Sequence, residues 1–212
     1  MHHSSTEFND LISDSSAFAE LMEYNCSPGS SVREWEDKRK FIAQVIPGNG
    51  TILDIGCAGG FFLRSLQEWT GFDLIPYGID INEDFIRKAQ ELFPACADHF
   101  LRMDVRNIAE FPSFGFPDHY DFTYWNFPGN WDVRDAEWTS LIETTLLPMT
   151  KKRIIIGFYG SNAFPFDSKE WNDERERIKR RVENLRETGL AVSGTMFNPT
   201  QFNQAIAWID RN

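Results

Sequence analysis

From Thr51 onward the chain alternates between two periodicities. Short β-branched or continuously apolar runs are followed by stretches whose apolar residues recur every three to four positions. "TILDI" (51–55) predicts a first strand, and "FFLRSLQEW" (61–69) a helix directly behind it. "IPYGIDI" (75–81) predicts a second strand. Asn82 is placed to cap the next helix, which carries Phe85, Ile86, Ala89, Leu92 and Phe93 on one face and stops at Pro94. "HFLRMDV" (99–105) and "YDFTYWNF" (120–127) predict strands three and four. Asp132 is the expected cap of a helix bearing Trp138, Leu141, Ile142 and Leu146. "RIIIGFYG" (153–160) is apolar throughout, as a central strand would be. The charged run 168–189 keeps a stripe of Trp171, Ile178, Val182 and Leu185. It predicts an amphipathic helix with Asp173–Arg177 and Glu176–Arg180 pairs and Gly189 at its end. "LAVSGTMF" (190–197) and "FNQAIAWID" (202–210) predict two closing strands, and the short "NPTQ" between them favours an antiparallel pair.

Strands separated by helices predict a three-layer, doubly wound α/β fold: a mostly parallel seven-stranded sheet with an antiparallel C-terminal strand. Residues 1–46 read differently. They are weakly helical, broken at "NCSPGSS", and carry a capping box at Ser31 and Glu34. They are expected to form an N-terminal helical cap or lid, of which residues 1–30 order on ligand binding and partly close the site, with residues 47–212 as the main domain.

Composition narrows the partners. The 212 residues are 42% hydrophobic and 25% charged with a net charge of −11, which disfavours long nucleic acid as a partner on average. No apolar run approaches the roughly 20 residues a membrane helix needs. Cys26, Cys57 and Cys96 form no CxxC pair, so no metal site is expected. With a polar N-terminus that predicts no signal peptide, they point to a reducing, cytoplasmic setting.

The chemistry concentrates in "TILDIGCAGGFF". Asp54 ends the first strand, and Gly56-Cys57-Ala58-Gly59-Gly60 leads into the helix. A dinucleotide site would need G-x-G-x-x-G. Ala58 and Phe61 stand where the second and third glycines belong, so a nicotinamide oxidoreductase is disfavoured. Two more carboxylates fall at strand ends: Asp80, 24 positions after Gly56, and Asp104. Each alone reads more often as a turn or helix cap; three at successive strand ends beside the glycine turn point to a ligand site. Cys57 reads as a small packing residue.

With this acidic residue and glycine turn, the chain resembles the class I S-adenosylmethionine-dependent methyltransferases over roughly residues 50–210. The resemblance lies in Asp54 to Gly60, Asp80, Asp104 and Asn126-Phe127-Pro128, with Ala58 a departure from the family's glycine. It implies an S-adenosylmethionine site built from Asp54, Gly56, Cys57, Ala58, Gly59, Gly60, Phe61, Asp80, Ile81, Asn82, Asp104, Val105, Asn126 and Phe127. In it Asp54 would reach the ligand's ammonium, Asp80 the ribose hydroxyls and Asp104 the adenine amino group. S-adenosylhomocysteine would be the product. Asp80 is expected to face a cleft and hold little else. The implied activity is methyl transfer to a small-molecule acceptor in an aromatic pocket lined by Trp131, Tyr159, Phe164 and Phe166. The sequence identifies no catalytic residue, because an activated methyl donor needs mainly alignment and desolvation. The alternatives are an Asn-Pro-Pro-aromatic N-methyltransferase acting on a base or protein glutamine, whose motif Asn126-Phe127-Pro128-Gly129 matches only in part, and a non-catalytic S-adenosylmethionine-binding protein. A monomer or homodimer is expected.

Overall fold

The computed structural model describes residues 5–129, 131–160, 168–200 and 203–211. The chain divides into two compact units, residues 1–117 and 118–212.

Unit 1 begins with three helices, α1 (Ser5–Ser13), α2 (Ser15–Tyr24) and α3 (Val32–Arg39). Asp14 caps α2 by accepting from the Ser16 and Ala17 amides at 2.9 and 3.0 Å. The capping box before α3 forms as the sequence predicts: the Ser31 amide donates to Glu34 (2.8 Å) and the Glu34 amide to Ser31 Oγ (3.3 Å). The alternating part follows as β1 (Gly50–Ile55), α4 (Phe61–Thr70), β2 (Leu74–Asp80), α5 (Glu83–Leu92) and β3 (Phe100–Arg102). β1 pairs parallel with β2 from Gly50–Leu74 to Ile55–Ile79, and β2 parallel with β3 from Gly78–Phe100 to Asp80–Arg102. Asn82 caps α5, accepting from the Asp84 and Phe85 amides. β3 is shorter than predicted because Asp104 leaves the strand and caps a 3₁₀ segment, accepting from the Arg106 amide at 2.9 Å.

The core of unit 1 is organised around Phe61, the first residue of α4, which is fully buried. Phe8 stacks on its ring at 5.9 Å, Phe18 meets it edge-on at 5.9 Å, and Trp35 lies at 5.4 Å. Trp35 Nε1 donates to Ser65 Oγ one turn along α4. One aromatic residue at the head of α4 thus ties all three N-terminal helices to it, which apolar burial favours and the edge-to-face geometry reinforces.

Unit 2 contains β4 (Tyr120–Asn126), α6 (Ala136–Leu141) running through a π-helical turn into the single turn α7 (Leu147–Met149), β5 (Thr150–Tyr159), α8 (Lys169–Glu187), β6 (Gly194–Phe197) and β7 (Gln204–Asp210). β4 and β5 are parallel, and β7 runs antiparallel to both β5 and β6. The seven strands follow the order β3-β2-β1-β4-β5-β7-β6, the predicted mixed sheet with its antiparallel C-terminal pair. β6 begins later than predicted, since residues 190–192 form a turn closed by the Val192 amide on Leu190 O.

Two local expectations fail in unit 2. Asp132 does not cap a helix. It forms a turn with Arg134, accepting from that residue's amide at 3.0 Å and its guanidinium at 2.6 Å, and α6 starts after Asp135 instead. On α8 the expected i,i+4 pairs give way to Lys169–Asp173 and to i,i+3 pairs, Arg177–Glu174 and Lys179–Glu176. Exposed ion pairs exchange at little cost in free energy, so spacing alone does not decide among them.

Phe61→Ala should lower the stability of the chain by roughly 3–5 kcal/mol, the range for a buried aromatic truncation. Urea unfolding followed by circular dichroism would measure it, and the loss should be matched by faster amide exchange in residues 15–24.

Candidate functional site

β1 delivers Asp54 to the end of the strand, 3% exposed. No hydrogen bond reaches its carboxyl among the described residues. Burial above all, and then the charge of Asp80, push its pKa up to about 8, against a smaller opposing pull from Arg39. The group is therefore largely a neutral acid at pH 7, buried and without a partner.

The turn after β1 winds through left-handed backbone at Gly56 (φ 78°), Ala58 (φ 50°) and Gly60 (φ 79°). For Ala58 this conformation costs roughly 1–2 kcal/mol, and Asp80 holds it there: the Ala58 amide donates to Asp80 Oδ2 at 3.0 Å. The other oxygen, Oδ1, accepts from the Asn82 amide at 2.9 Å. Asp80 thus joins the turn after β1 to the start of α5, which corrects the expectation that it supports little. Each of its oxygens keeps a lone pair for a ligand hydroxyl. Asn82 turns inward as the α5 cap, while Ile81 is 68% exposed.

Gly59 is required by packing rather than by φ. A Cβ there would lie 2.9 Å from Tyr24 Cβ and 3.1 Å from Tyr24 O, because the end of α2 lies on the turn. The Gly59 amide donates to Tyr24 O at 2.7 Å, and the Phe61 amide to Asn25 Oδ1 at 3.1 Å. Over Gly56, by contrast, a Cβ would meet nothing within 4 Å. Cys57 is buried, and burial raises its thiol pKa well above the usual range, the reverse of an activated nucleophile. Asp104 accepts from the Arg106 amide and its Oδ2 meets Arg106 Nη1 at 3.0 Å; Val105 beside it is buried.

The remaining residues expected in the site belong to unit 2. Asn126 is exposed at the end of β4, whereas Phe127 is 1% exposed and its amide donates to Gly157 O at 2.9 Å. Trp131 stacks on Trp138 at 4.0 Å and is half-buried. Tyr159 accepts a hydrogen bond from the Tyr124 hydroxyl at 3.2 Å. Phe164 and Phe166 lie outside the described residues.

Four residues were not found from the sequence. Tyr24 and Asn25 come from the end of α2, and their contacts with the turn span 35 residues or more, beyond any local periodicity; Arg39, the last residue of α3, stacks on Trp35 at 4.0 Å and acts on Asp54 through its charge. The fourth, Arg181, is hidden in the charge run of α8. It is 7% exposed, donates to Phe127 O (3.2 Å) and Pro128 O (2.7 Å), and lies over the rings of Phe127 and Phe158. Desolvation brings its pKa down to about 10. The signal was its place between Ile178 and Leu185, on the apolar stripe. Arg181 also borders a cavity of about 220 Å³ with Trp131, Asp132, Arg177 and Asn184. Among the described residues there is no cluster of three or more His, Cys, Asp or Glu spaced for a metal, and no helix long and apolar enough to cross a membrane.

Residues 46–135 match the family model of a methyltransferase domain. No curated protein matches the chain by sequence. Among solved structures it resembles a chain of the complex between the Haloferax volcanii Trm112 methyltransferase activator and a methyltransferase: 15% identity, 95% of this chain and 96% of that one covered, TM-score 0.57. It also resembles a mitomycin 7-O-methyltransferase, of which it spans 60% with 97% of its own length, at 16% identity and TM-score 0.59. Fibrillarin from Aeropyrum pernix, solved with natively bound S-adenosyl-L-methionine, is similar at 14% identity over 80% of this chain and 72% of that one, TM-score 0.51. At these identities the structures speak for the fold, which is the Rossmann-like methyltransferase fold. The family model covers 90 of the 212 residues, and the fold is the one these methyltransferases share. These neighbours differ widely in what their names say they act on or assemble with, so they lend no support to the expectation that nucleic acid is excluded as a partner.

Asp54 makes stability depend on pH with a definite sign. Its folded pKa lies above the unfolded value near 4, so its ionisation opposes folding. Its contribution to stability is intact below about pH 4, falls as pH rises toward about 8 by up to about 1.4 kcal/mol per unit, and is flat above that. Asp54→Asn should remove this slope, as measured by urea midpoints between pH 5 and 8.

Proposed function

We propose that this protein transfers a methyl group from S-adenosylmethionine to a small-molecule acceptor. The observation that carries the reading is the arrangement at the end of β1: an unpartnered buried carboxyl (Asp54), open space over Gly56, and a second carboxylate (Asp80) fixed beside the same turn. These fit a ligand that carries a cation, a diol and no phosphate. A phosphate would meet the Asp80 carboxylate here, and no amide of the turn from Gly56 to Phe61 is left without an acceptor.

S-adenosylmethionine supplies a methyl group already activated on a sulfonium centre. The chain's own residues bind and orient. Asp54 faces the ammonium and ionises as that charge approaches. Asp80 accepts from the ribose hydroxyls while keeping the turn in place, and Asp104 receives the adenine amino group. Trp131 and Tyr159 are assigned to the acceptor, where aromatic surface holds a flat or cationic molecule and keeps water out. Phe164 and Phe166 belong to the same assignment. The acidic chain supports a small acceptor over a polyanion.

S-adenosylhomocysteine should stabilise the protein, by about 2.7 kcal/mol at 100 times its dissociation constant, and NAD should not. Asp80→Ala should weaken S-adenosylhomocysteine at least tenfold, since hydrogen bonds to a charged group contribute roughly 1.5–3 kcal/mol. It should also lower the melting temperature without ligand, because the Ala58 and Asn82 amides both lose their acceptor. Calorimetry and thermal melts on the same variant check both effects. Wild-type protein insensitive to millimolar S-adenosylhomocysteine would refute the reading, and turnover with metabolite extracts would identify the acceptor.

A further inference from the structure

Arg181 is a buried cation with no paired carboxylate among the described residues. It is 7% exposed and sits on the stripe of α8 between Ile178 and Leu185. Its Nη2 donates to the carbonyls of Phe127 (3.2 Å) and Pro128 (2.7 Å), and the ring centroids of Phe158 and Phe127 lie 5.1 and 5.7 Å from its guanidinium carbon. Nη1 is buried and has no hydrogen-bond partner among the described residues. Carbonyls and aromatic faces fix the guanidinium in place, but they carry no full negative charge to match it. A buried charge with an unused donor is costly, and native chains rarely keep one without a reason.

The carboxylates that face Arg181 are already engaged. Glu174 accepts from Arg177 at 2.6 and 2.7 Å, and Asp132 accepts from Arg134 at 2.6 Å. Two closed ion pairs therefore flank one unmatched positive charge. Desolvation above all, and then the charge of Arg177, lower the Arg181 pKa to about 10 against a smaller pull from Glu174 and Asp132, so the group stays a cation at neutral pH.

The same residue borders the cavity of about 220 Å³, whose walls include Trp131, Asp132, Arg177 and Asn184. That space takes several waters or one small organic molecule. Trp131 supplies an aromatic wall, held by stacking on Trp138 at 4.0 Å. Asn184, three positions along α8 from Arg181, supplies a side-chain amide.

We propose that this cavity is a binding site for a small organic acid, with Arg181 Nη1 donating to its carboxylate and Trp131 lying against its flat body. The charge count selects the acid. One unmatched cation suits a monoanion, whereas a phosphate dianion would also face the Asp132 carboxylate in a chain of net charge −11. An arginine already oriented by two carbonyls loses little side-chain freedom when the carboxylate arrives. Every residue invoked belongs to unit 2, and the assignment does not rest on the S-adenosylmethionine reading.

Benzoate and benzamide, close in shape and different in charge, are the probes, titrated calorimetrically into the protein alone. Benzoate should bind at least tenfold more tightly, because a hydrogen bond between charged partners is the stronger. Arg181→Gln should remove that preference. Asn184→Asp places a carboxylate in the cavity and leaves the Phe127 and Pro128 contacts intact, so it reads the site even where Arg181→Gln fails to fold. It should weaken benzoate at least tenfold and leave benzamide within twofold. Equal binding of the two probes would mean an apolar slot and overturn the proposal. Binding of neither at millimolar concentration, with Arg181→Gln still lowering the melting temperature, would mean that Arg181 only straps the loop after β4 to α8, and would overturn it as well. So would benzoate binding that Asn184→Asp leaves unchanged, or inorganic phosphate binding more tightly than benzoate. Neither probe involves S-adenosylhomocysteine, so failure here leaves the cofactor reading standing and failure of that reading leaves this site standing.

Discussion

The hydrogen bond from the Ala58 amide to the Asp80 carboxylate sets the geometry on which the candidate site depends. Ala58 is held in a backbone region that residues with a side chain seldom occupy, and the strain is tolerated because the end of β2 supplies an acceptor at the right place. The same carboxylate accepts from Asn82, which caps α5. The turn after β1 and the start of α5 are thereby fixed by one side chain. Asp54, at the end of β1, has no hydrogen-bond partner among the described residues, in surroundings that keep it protonated at neutral pH. Cap and ligand roles, alternatives for Asp80 in the sequence, coexist in the structure because a carboxylate has more lone pairs than two amides use.

The second organising element is Phe61. Its ring gathers Phe8, Phe18 and Trp35, and its amide donates to Asn25 Oδ1. Side chain and backbone of one residue thus connect the head of α4 with the N-terminal helices twice over. The apolar contacts supply most of the stabilisation and the polar ones set the register. In this arrangement α2 and α3 are packed elements of unit 1, and a lid motion over ligand would have to break the bonds from Gly59 and Phe61.

What could be read in advance follows the range of the forces involved. β1 with α4, the Asn82 cap and the Ser31–Glu34 box all declare themselves within a few residues, by period or by capping chemistry. So did the antiparallel closing pair, from a link too short for a crossover. Asp54, Asp80 and Asp104 were legible as strand-end carboxylates, but their partners were not, since the Ala58–Asp80 bond spans 22 residues. Asp132 misled because an Asx turn and a helix cap use the same residue type; its Arg134 partner decided for the turn. Arg181 was lost among the charges of α8, although the stripe through Ile178 and Leu185 passes over it. Its burial is made possible by two carbonyls and two aromatic rings from distant parts of unit 2.

The central claim is that a neutral buried carboxyl at the end of β1 recognises the cation of an amino-acid nucleoside. Proton linkage tests it most directly: S-adenosylhomocysteine is titrated calorimetrically at pH 7 in buffers of different ionisation enthalpy. Binding should release nearly one proton, because Asp54 passes from the acid to the carboxylate as the ammonium arrives, and Asp54→Asn should abolish the release. Binding by the wild type with no proton released, or with the same release from Asp54→Asn, would contradict the claim.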